Sequence, residues 1–283
     1  MNIENYVVRK MKKEEANLAI EWASDEGWNP GLYDLDCFWN TDPDGWWIGL
    51  LNNEPICLKT AIKYGNTYGF MGFYMVKPKF RGKGYGLTLW KIANESLIGR
   101  IAGMDGVVEQ QKNYAKSGYV YAHRNVRYEG VGGGQTINAP NITDIKNISF
   151  ELIENYDREC FPEKRSKFLT GWFSLPESFS LGYFEDGKIK GFGTIRKCRK
   201  GYKIGPLFSD NYQIAEKLFL CLKSKINEGE SFYLDIPEPN ENAVKLVKKY
   251  NMKYVFETAR MYLGGTPDVN LNKIYGITTF ELG

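Results

Sequence analysis

The segment Tyr74-Met75-Val76-Lys77-Pro78-Lys79-Phe80-Arg81-Gly82-Lys83-Gly84-Tyr85-Gly86 carries the residue types best suited to hold an anion. Closely spaced glycines let a backbone turn tightly and come near a ligand. An apolar run ending at Val76 reads as a strand, and Leu89, Ala93 and Leu97 recur at helical spacing after Gly86. The first N–H groups of such a helix lack internal partners and face the end of the strand. With the helix dipole, Arg81 and Lys83, they make an anion site whose natural guest is a diphosphate. Without a ligand, the same residues form a tight strand-to-helix turn with solvated basic side chains. A P-loop is excluded because no Gly-Lys-Ser/Thr follows. Gly82, Gly84 and Gly86 also give Gly-x-Gly-x-Gly, not the Gly-x-Gly-x-x-Gly of a dinucleotide fold.

A second cluster is Asp42-Pro43-Asp44-Gly45-Trp46-Trp47. Carboxylates beside ring faces recognise amines, which makes Asp42 and Trp46 candidate contacts for a cationic acceptor. The alternative is a turn feeding a buried strand. His123 is the one histidine, so multi-histidine zinc sites are excluded; its own reading is structural. The five cysteines, at 37, 57, 160, 198 and 221, form no Cys-x-x-Cys pair. They read as reduced, buried thiols of a cytoplasmic protein, and no metal is expected.

The elements that must position these residues fall into two sets. The chain has 283 residues, and domains usually run about 100–200, so two are expected. Gly130-Val131-Gly132-Gly133-Gly134 and the polar stretch to Lys146 read as a linker between domains 1–130 and 147–283. In the first half Val7-Val8, 46–51, 56–62, 68–76 and 119–128 read as strands. Segments 13–22, 86–97 and 114–117 read as helical, with a strand end at Met104-Asp105-Gly106. The second half repeats the order, with strands at 180–185, 188–196, 202–208, 232–236 and 254–263. Its helices follow the 214–226 apolar repeat and 241–250. This predicts an α/β fold, each half a mixed, mostly antiparallel sheet flanked by helices. The charge is balanced, with 37 basic and 34 acidic residues, which disfavours nucleic acid as a partner. No apolar run nears the roughly 18 residues of a membrane helix, and Met1 to Asn5 begins no secretory signal, so no membrane partner is expected.

Arg81-x-x-Gly84-x-Gly86, with Val76-x-Pro78 before it, resembles the Arg/Gln-x-x-Gly-x-Gly/Ala motif of the GNAT N-acetyltransferases. The resemblance covers essentially the whole first half, and the whole chain is similar to bacterial proteins with two tandem GNAT domains. It implies acetyl-CoA as cosubstrate. Backbone groups at Tyr74, Met75 and Val76 would pair with pantetheine, and the stretch Arg81, Gly82, Lys83, Gly84, Tyr85, Gly86 would hold the diphosphate. Tyr114, in Tyr114-Ala115-Lys116-Ser117-Gly118-Tyr119, would be the acid that protonates the departing thiolate.

Departures bear on the acceptor side. Some relatives place a Glu base twelve residues before that Tyr, where Ala102 stands here, and an Asn where Val107 stands. The nearest carboxylate is Asp105, which would bind a cationic acceptor or take its proton; otherwise it is a turn aspartate beside Gly106. The second half keeps Asp235 and Asn240 at family spacing but has Val247 in place of the tyrosine. Asp210 or Asn211 would cap its helix, in place of a diphosphate. Arg196-Lys197-Cys198-Arg199-Lys200 reads as a solvated hairpin tip, or as a contact for the cofactor's 3′-phosphate. The expected activity is acetyl transfer to a primary amine, of a small molecule or a peptide, by direct attack in a ternary complex. A non-catalytic acyl-CoA sensor is the alternative. Monomer and dimer remain open.

Overall fold

The computed structural model describes residues 5–134 and 137–283. Gln135 and Thr136 of the expected linker, and Met1 to Glu4, lie outside the described residues. In chain order the elements are β1 (Tyr6–Lys10), α1 (Asn17–Asp25), α2 (Asp34–Thr41), β2 (Trp46–Leu51), β3 (Glu54–Tyr64), β4 (Tyr68–Val76), α3 (Tyr85–Glu95), β5 (Ile101–Val107), α4 (Gln111–Lys116) and β6 (Val120–Val131). There follow β7 (Ile142–Asp144), α5 (Phe150–Asp157), α6 (Ser166–Trp172), β8 (Ser178–Glu185), β9 (Lys188–Lys197), β10 (Tyr202–Ser209), α7 (Tyr212–Lys223), β11 (Ser231–Pro237), α8 (Glu241–Lys249), β12 (Lys253–Leu263) and β13 (Ile274–Gly276).

One sheet holds all the strands, in the order β1-β2-β3-β4-β5-β12-β6-β11-β10-β9-β8-β7, with β13 beside β10. Two strands are exchanged. β12 lies next to β5, and β6 lies next to β11. The two exchanged strands pair with each other at the centre. The division into 1–130 and 147–283 therefore separates the sequence but not the sheet, because each half donates a strand to the other.

The glycine-rich linker is also packed from its start. Gly132 donates to the Glu230 carbonyl at 2.7 Å and Gly133 to Lys223 at 3.1 Å. Both are buried.

The exchange is locked by charge. In register, Arg260 on β12 faces Asp105 on β5, and Arg127 on β6 faces Asp235 on β11. Arg260 donates to the two Asp105 oxygens at 2.9 and 2.6 Å, and Arg127 to those of Asp235 at 2.6 and 2.7 Å. A third buried pair, Arg196 with Asp34, ties β9 to α2 across the halves at 2.9 and 3.2 Å. Removing one partner of such a pair costs about 3–5 kcal/mol, because the other charge stays buried. Arg196 and Cys198 are thus interior residues, and the expected solvated tip shrinks to Arg199 and Lys200.

Alternate side chains of the strands point to opposite faces. Leu58, Ile62, Phe70 and Phe73 join one large core with α1, α2, α5 and α6, which spans both halves. Ala61, Met71, Ala102 and Met104 pack on the other face against Trp90 of α3 and Tyr114 of α4. Around α7 and α8 a third core forms. The sequence pattern assigns no helix to the short α2, α5 and α6. At seven or eight residues they span barely two turns, too few for a helical period to stand out.

The parallel pair β4 and β5 stays together only from Tyr68/Ile101 to Met71/Met104. Beyond it, Phe73 and Tyr74 of β4 together oppose Lys59 of β3, a bulge in which Phe73 has φ +44°. A non-glycine residue in that region costs on the order of 1–3 kcal/mol. The bulge bends β4 away from β5 and opens the sheet.

The exchange predicts how the chain unfolds. The intact protein should lose tryptophan fluorescence and far-UV dichroism in one coincident urea transition. A fragment of residues 1–130, whose β6 has lost both neighbours, should show no cooperative melt. A cooperatively folding fragment would contradict the exchanged sheet.

Candidate active site

The opening between β4 and β5 is the mouth of a cleft of about 530 Å³ that passes through the sheet. On the α3 face it is lined by Tyr74, Val76, Met104 and Tyr114, and by the turn residues Arg81, Gly82, Gly84 and Gly86. On the opposite face the lining comes from Trp28, Phe73, Phe256, Phe280 and Glu281. Met75 lines it as well. Lys83 and Tyr85 are not among the lining residues. Lys83 is exposed, and Tyr85 packs its ring on Tyr6 at 4.9 Å.

The N-cap of α3 is Gly84, at φ +87°, and no side chain caps the helix. Arg81 donates its Nε to the Val76 carbonyl at 2.8 Å and pairs with Glu26, so the guanidinium is fixed at the mouth of the cleft.

Tyr114 is buried, and its ring stacks on Trp90 at 5.3 Å and 19°. Gly106 makes that possible, because a Cβ there would come within 2.3 Å of the Tyr114 ring. Met104, Asp105 and Gly106 all lie within β5, so the segment is strand and not a turn. Burial pushes the Tyr114 phenol up, so it keeps its proton at neutral pH.

Asp105 does not stand free. Besides the two Arg260 bonds it accepts from Asn125 Nδ2 at 2.7 Å, and its side chain is fully buried. Asp105 is thus held by a guanidinium and an amide and is not the unpartnered carboxylate expected at the strand end. Asp42 and Trp46 are no acceptor site. Asp42 accepts the Lys63 amide at 2.9 Å in a turn, and Trp46 is 0% exposed, stacked behind Phe73 at 5.8 Å.

Two family models match the chain: the acetyltransferase (GNAT) family over residues 14–121 and an acetyltransferase (GNAT) domain over 153–276. Holothin acyltransferase of Pseudoalteromonas sp. (strain SANK 73390) is 33% identical over 273 residues, which cover 95% of this chain and 92% of that protein. The chain belongs to the GNAT family. It is an acyltransferase with two GNAT domains. A putative acetyltransferase from Pyrococcus horikoshii shares the fold at a TM-score of 0.84 and 22% identity, over 100% of this chain and 98% of that one. A tandem GNAT protein from the clavulanic acid biosynthesis pathway matches at 0.62 and 10%, over 93% and 100%.

The second GNAT unit repeats the opening and then fills it. β10 and β11 pair only from Tyr202/Phe232 to Ile204/Leu234. A bulge at Gly205 and Pro206, opposite Thr194, parts them. Into that gap the chain inserts β13, which pairs with β10, while Ile277 donates to the Asp235 carbonyl at 2.8 Å. Asn240 Nδ2 reaches the carbonyls of Leu271, Asn272 and Ile274 at 2.9–3.2 Å, so it grips this plug. The start of α7 is closed by Asn211, which accepts from the Ile214 amide at 3.0 Å. The open cleft of this GNAT enzyme lies in its first unit.

Sequence reasoning missed Lys59 and Glu281. Lys59 lines the cleft and is buried, with Nζ 3.9 Å from the Trp90 ring centroid and 4.9 Å from that of Tyr74. Desolvation pushes its pKa well below the ordinary 10.5. A lysine inside a run as apolar as Ile56 to Ile62 was the available signal. Glu281 gave none, because only the fold brings it to the cleft. His123 is buried, and burial and then Arg260 bring its pKa down to about 4.

Two measurements follow from these shifts. The single imidazole should titrate in an NMR pH series with a midpoint of about 4, not 6.5. The unfolded chain takes that proton near 6.5, so stability is lost as pH falls from 6.5 towards 4. The unfolded chain also holds the Lys59 proton up to about 10.5. The folded chain releases that proton earlier, so its stability rises with pH in that interval. Lys59→Met should remove this rise. Urea midpoints at pH 7 and 10 should show the variant at least as stable as the wild type at pH 7, with the advantage shrinking at pH 10.

Proposed function

We propose that this protein transfers an acetyl group from acetyl-CoA to an amine, by direct attack while both are bound. The observation that carries this reading is the cleft that crosses the sheet. Its lining comes from both faces of the sheet, so a donor and an acceptor can approach the β4 bulge from opposite sides.

Three features fit acetyl-CoA as the donor. The edge of β4 from Gly72 to Val76 has no strand partner on the β5 side, so it can pair with an extended amide-bearing arm. The uncapped first turn of α3 suits a diphosphate, and Arg81 adds charge at the mouth. Tyr114 lines the same cleft. When bound, acetyl-CoA supplies the activated acetyl thioester.

The chain's own groups then have defined tasks. The β4 edge holds the donor in line with the sheet, and its amides polarise the acyl oxygen. Tyr114 delivers its proton to the leaving sulfur, and the proton lost by the attacking amine passes to water, from which the phenol is restored. Burial of the phenol and its stack on Trp90 fix the direction of that delivery. The similar acyltransferase is named for holothin, which supports a small-molecule acceptor here.

Calorimetric titration should show acetyl-CoA binding at one site per chain. No heat and no thermal shift at millimolar ligand would overturn the proposal. Tyr114→Phe keeps the ring and its stack. It should lower kcat by about 10²–10⁴ while leaving acetyl-CoA affinity within about twofold. Unchanged turnover would remove Tyr114 from the reaction.

A further inference from the structure

The segment Ile277–Gly283 leaves the plug of the second GNAT unit and runs to the cleft of the first. Ile277 still pairs with Asp235 of β11, and five residues on, the Leu282 carbonyl accepts from Tyr64 Oη of β3 at 2.9 Å. Its closest approach is at the apex of the opening. A Cβ on Gly72 would fall 1.9 Å from the Glu281 carbonyl oxygen, so that position on β4 has room for glycine alone. Glu281 is thereby held where β4 and β5 part. Its amide donates to Thr279 Oγ1 at 3.2 Å, which fixes the turn that presents it.

The Glu281 side chain is 3% exposed and lines the cleft. Its Oε2 is buried and has no hydrogen-bond partner among the described residues. The nearby guanidiniums each face another carboxylate, Arg127 held bidentate by Asp235 and Arg196 by Asp34, and the Arg196 Nη1 left over makes no hydrogen bond to Glu281. Lys203 donates to the Trp28 carbonyl at 3.3 Å. A buried carboxylate without a donor is costly, and a ligand that brings one relieves the cost. Around it stand four aromatic residues that also line the cleft, Trp28, Phe73, Phe256 and Phe280. Phe256 and Phe280 pack on each other at 5.6 Å, and the Arg127 guanidinium covers one face of each at 4.7 and 4.9 Å from the ring centroids, so the faces left to a ligand are their other sides with Trp28 and Phe73. Ring faces with one carboxylate suit an ammonium carried on an apolar or aromatic body.

We propose that Glu281 and this aromatic box are the acceptor subsite, and that Glu281 selects an acceptor bearing a primary ammonium on an aromatic or apolar body. This rests on the reading of the protein as an amine acyltransferase. The subsite lies on the face opposite the start of α3, so it is filled independently of the donor. Glu281 is a recognition residue here, and no proton transfer is assigned to it.

Equilibrium binding separates this proposal from the donor assignment, because it needs no acetyl-CoA. Phenethylamine and tryptamine are titrated into the full chain, with 3-phenylpropanoate and indole-3-propanoate as matched acids, and calorimetry reads the affinity. The expected result is that at least one amine binds and its matched acid binds at least about tenfold more weakly. Glu281→Gln should weaken the amine at least about tenfold and abolish the preference over the acid, with the urea midpoint recorded alongside. Equal binding of amine and acid to the wild type, binding of neither amine at 10⁻² M, or an unchanged amine affinity in a folded Glu281→Gln would each overturn the proposal. The amine–acid comparison is made on the wild type, so the proposal stays testable if the variant fails to fold. A failed acetyl-CoA titration alongside intact amine binding would strike the donor assignment alone.

Discussion

Two reciprocal ion pairs, Arg260 with Asp105 and Arg127 with Asp235, hold the centre of this molecule. In each, an arginine on an exchanged strand meets an aspartate on the strand it has joined, directly opposite in register. A slip of one residue would turn every side chain of the exchanged strand to the wrong face. It would also leave a guanidinium and a carboxylate buried without partners, at a cost of several kcal/mol. The pairs therefore fix how the halves share one sheet. They also fix where β12 stands, and β12 supplies Phe256 and Thr258 to the cleft. The site depends on a contact between segments some 150 residues apart.

The two GNAT units show what one architecture does when its opening is empty and when it is occupied. Both part a parallel pair of strands with a bulge. In the first unit the gap stays open, the next helix starts uncapped, and a tyrosine faces the gap. In the second, β13 takes the gap, Asn211 takes the helix amides, and Asn240 holds the plug in place. The same hydrogen-bonding groups that suit a ligand in one unit are satisfied by the chain itself in the other. The plug has a further consequence: the chain leaving it is led to the open cleft and forms one wall. The degenerate unit thus contributes structure to the working one.

Much of the fold was legible because the strands are long and the turns distinct. Trp46–Leu51 and Tyr68–Val76 coincide with their sequence readings, since Asn52-Asn53 and Gly65-Asn66 bound them with strong turn chemistry. The donor side was legible for a similar reason: Arg81-x-x-Gly84-x-Gly86 is a local motif whose function comes from contiguous backbone. The acceptor side was not. Asp42 and Trp46 are neighbours in sequence, but one is used in a turn and the other in the core. Asp105 had the right chemistry at the right strand end, but Arg260, which the sequence could not place beside it, holds it in a buried ion pair. Glu281 carried no signal at all, because contacts distant in sequence, at Gly72 and Tyr64, bring its segment to the cleft.

The sequence by itself determined the family, the repeated order of elements and the place of the glycine-rich loop before α3. Each is encoded by residues close together in the chain, where spacing and backbone geometry are enough. Tertiary structure alone decided which carboxylates are free and which are paired. It decided that the halves exchange strands, and it placed the aromatic box and Glu281 at the far side of the cleft. Those outcomes depend on which charges meet across a sheet and which surfaces are left to line a gap. Burial and pairing are properties of neighbours in space, and no spacing along the chain carries them.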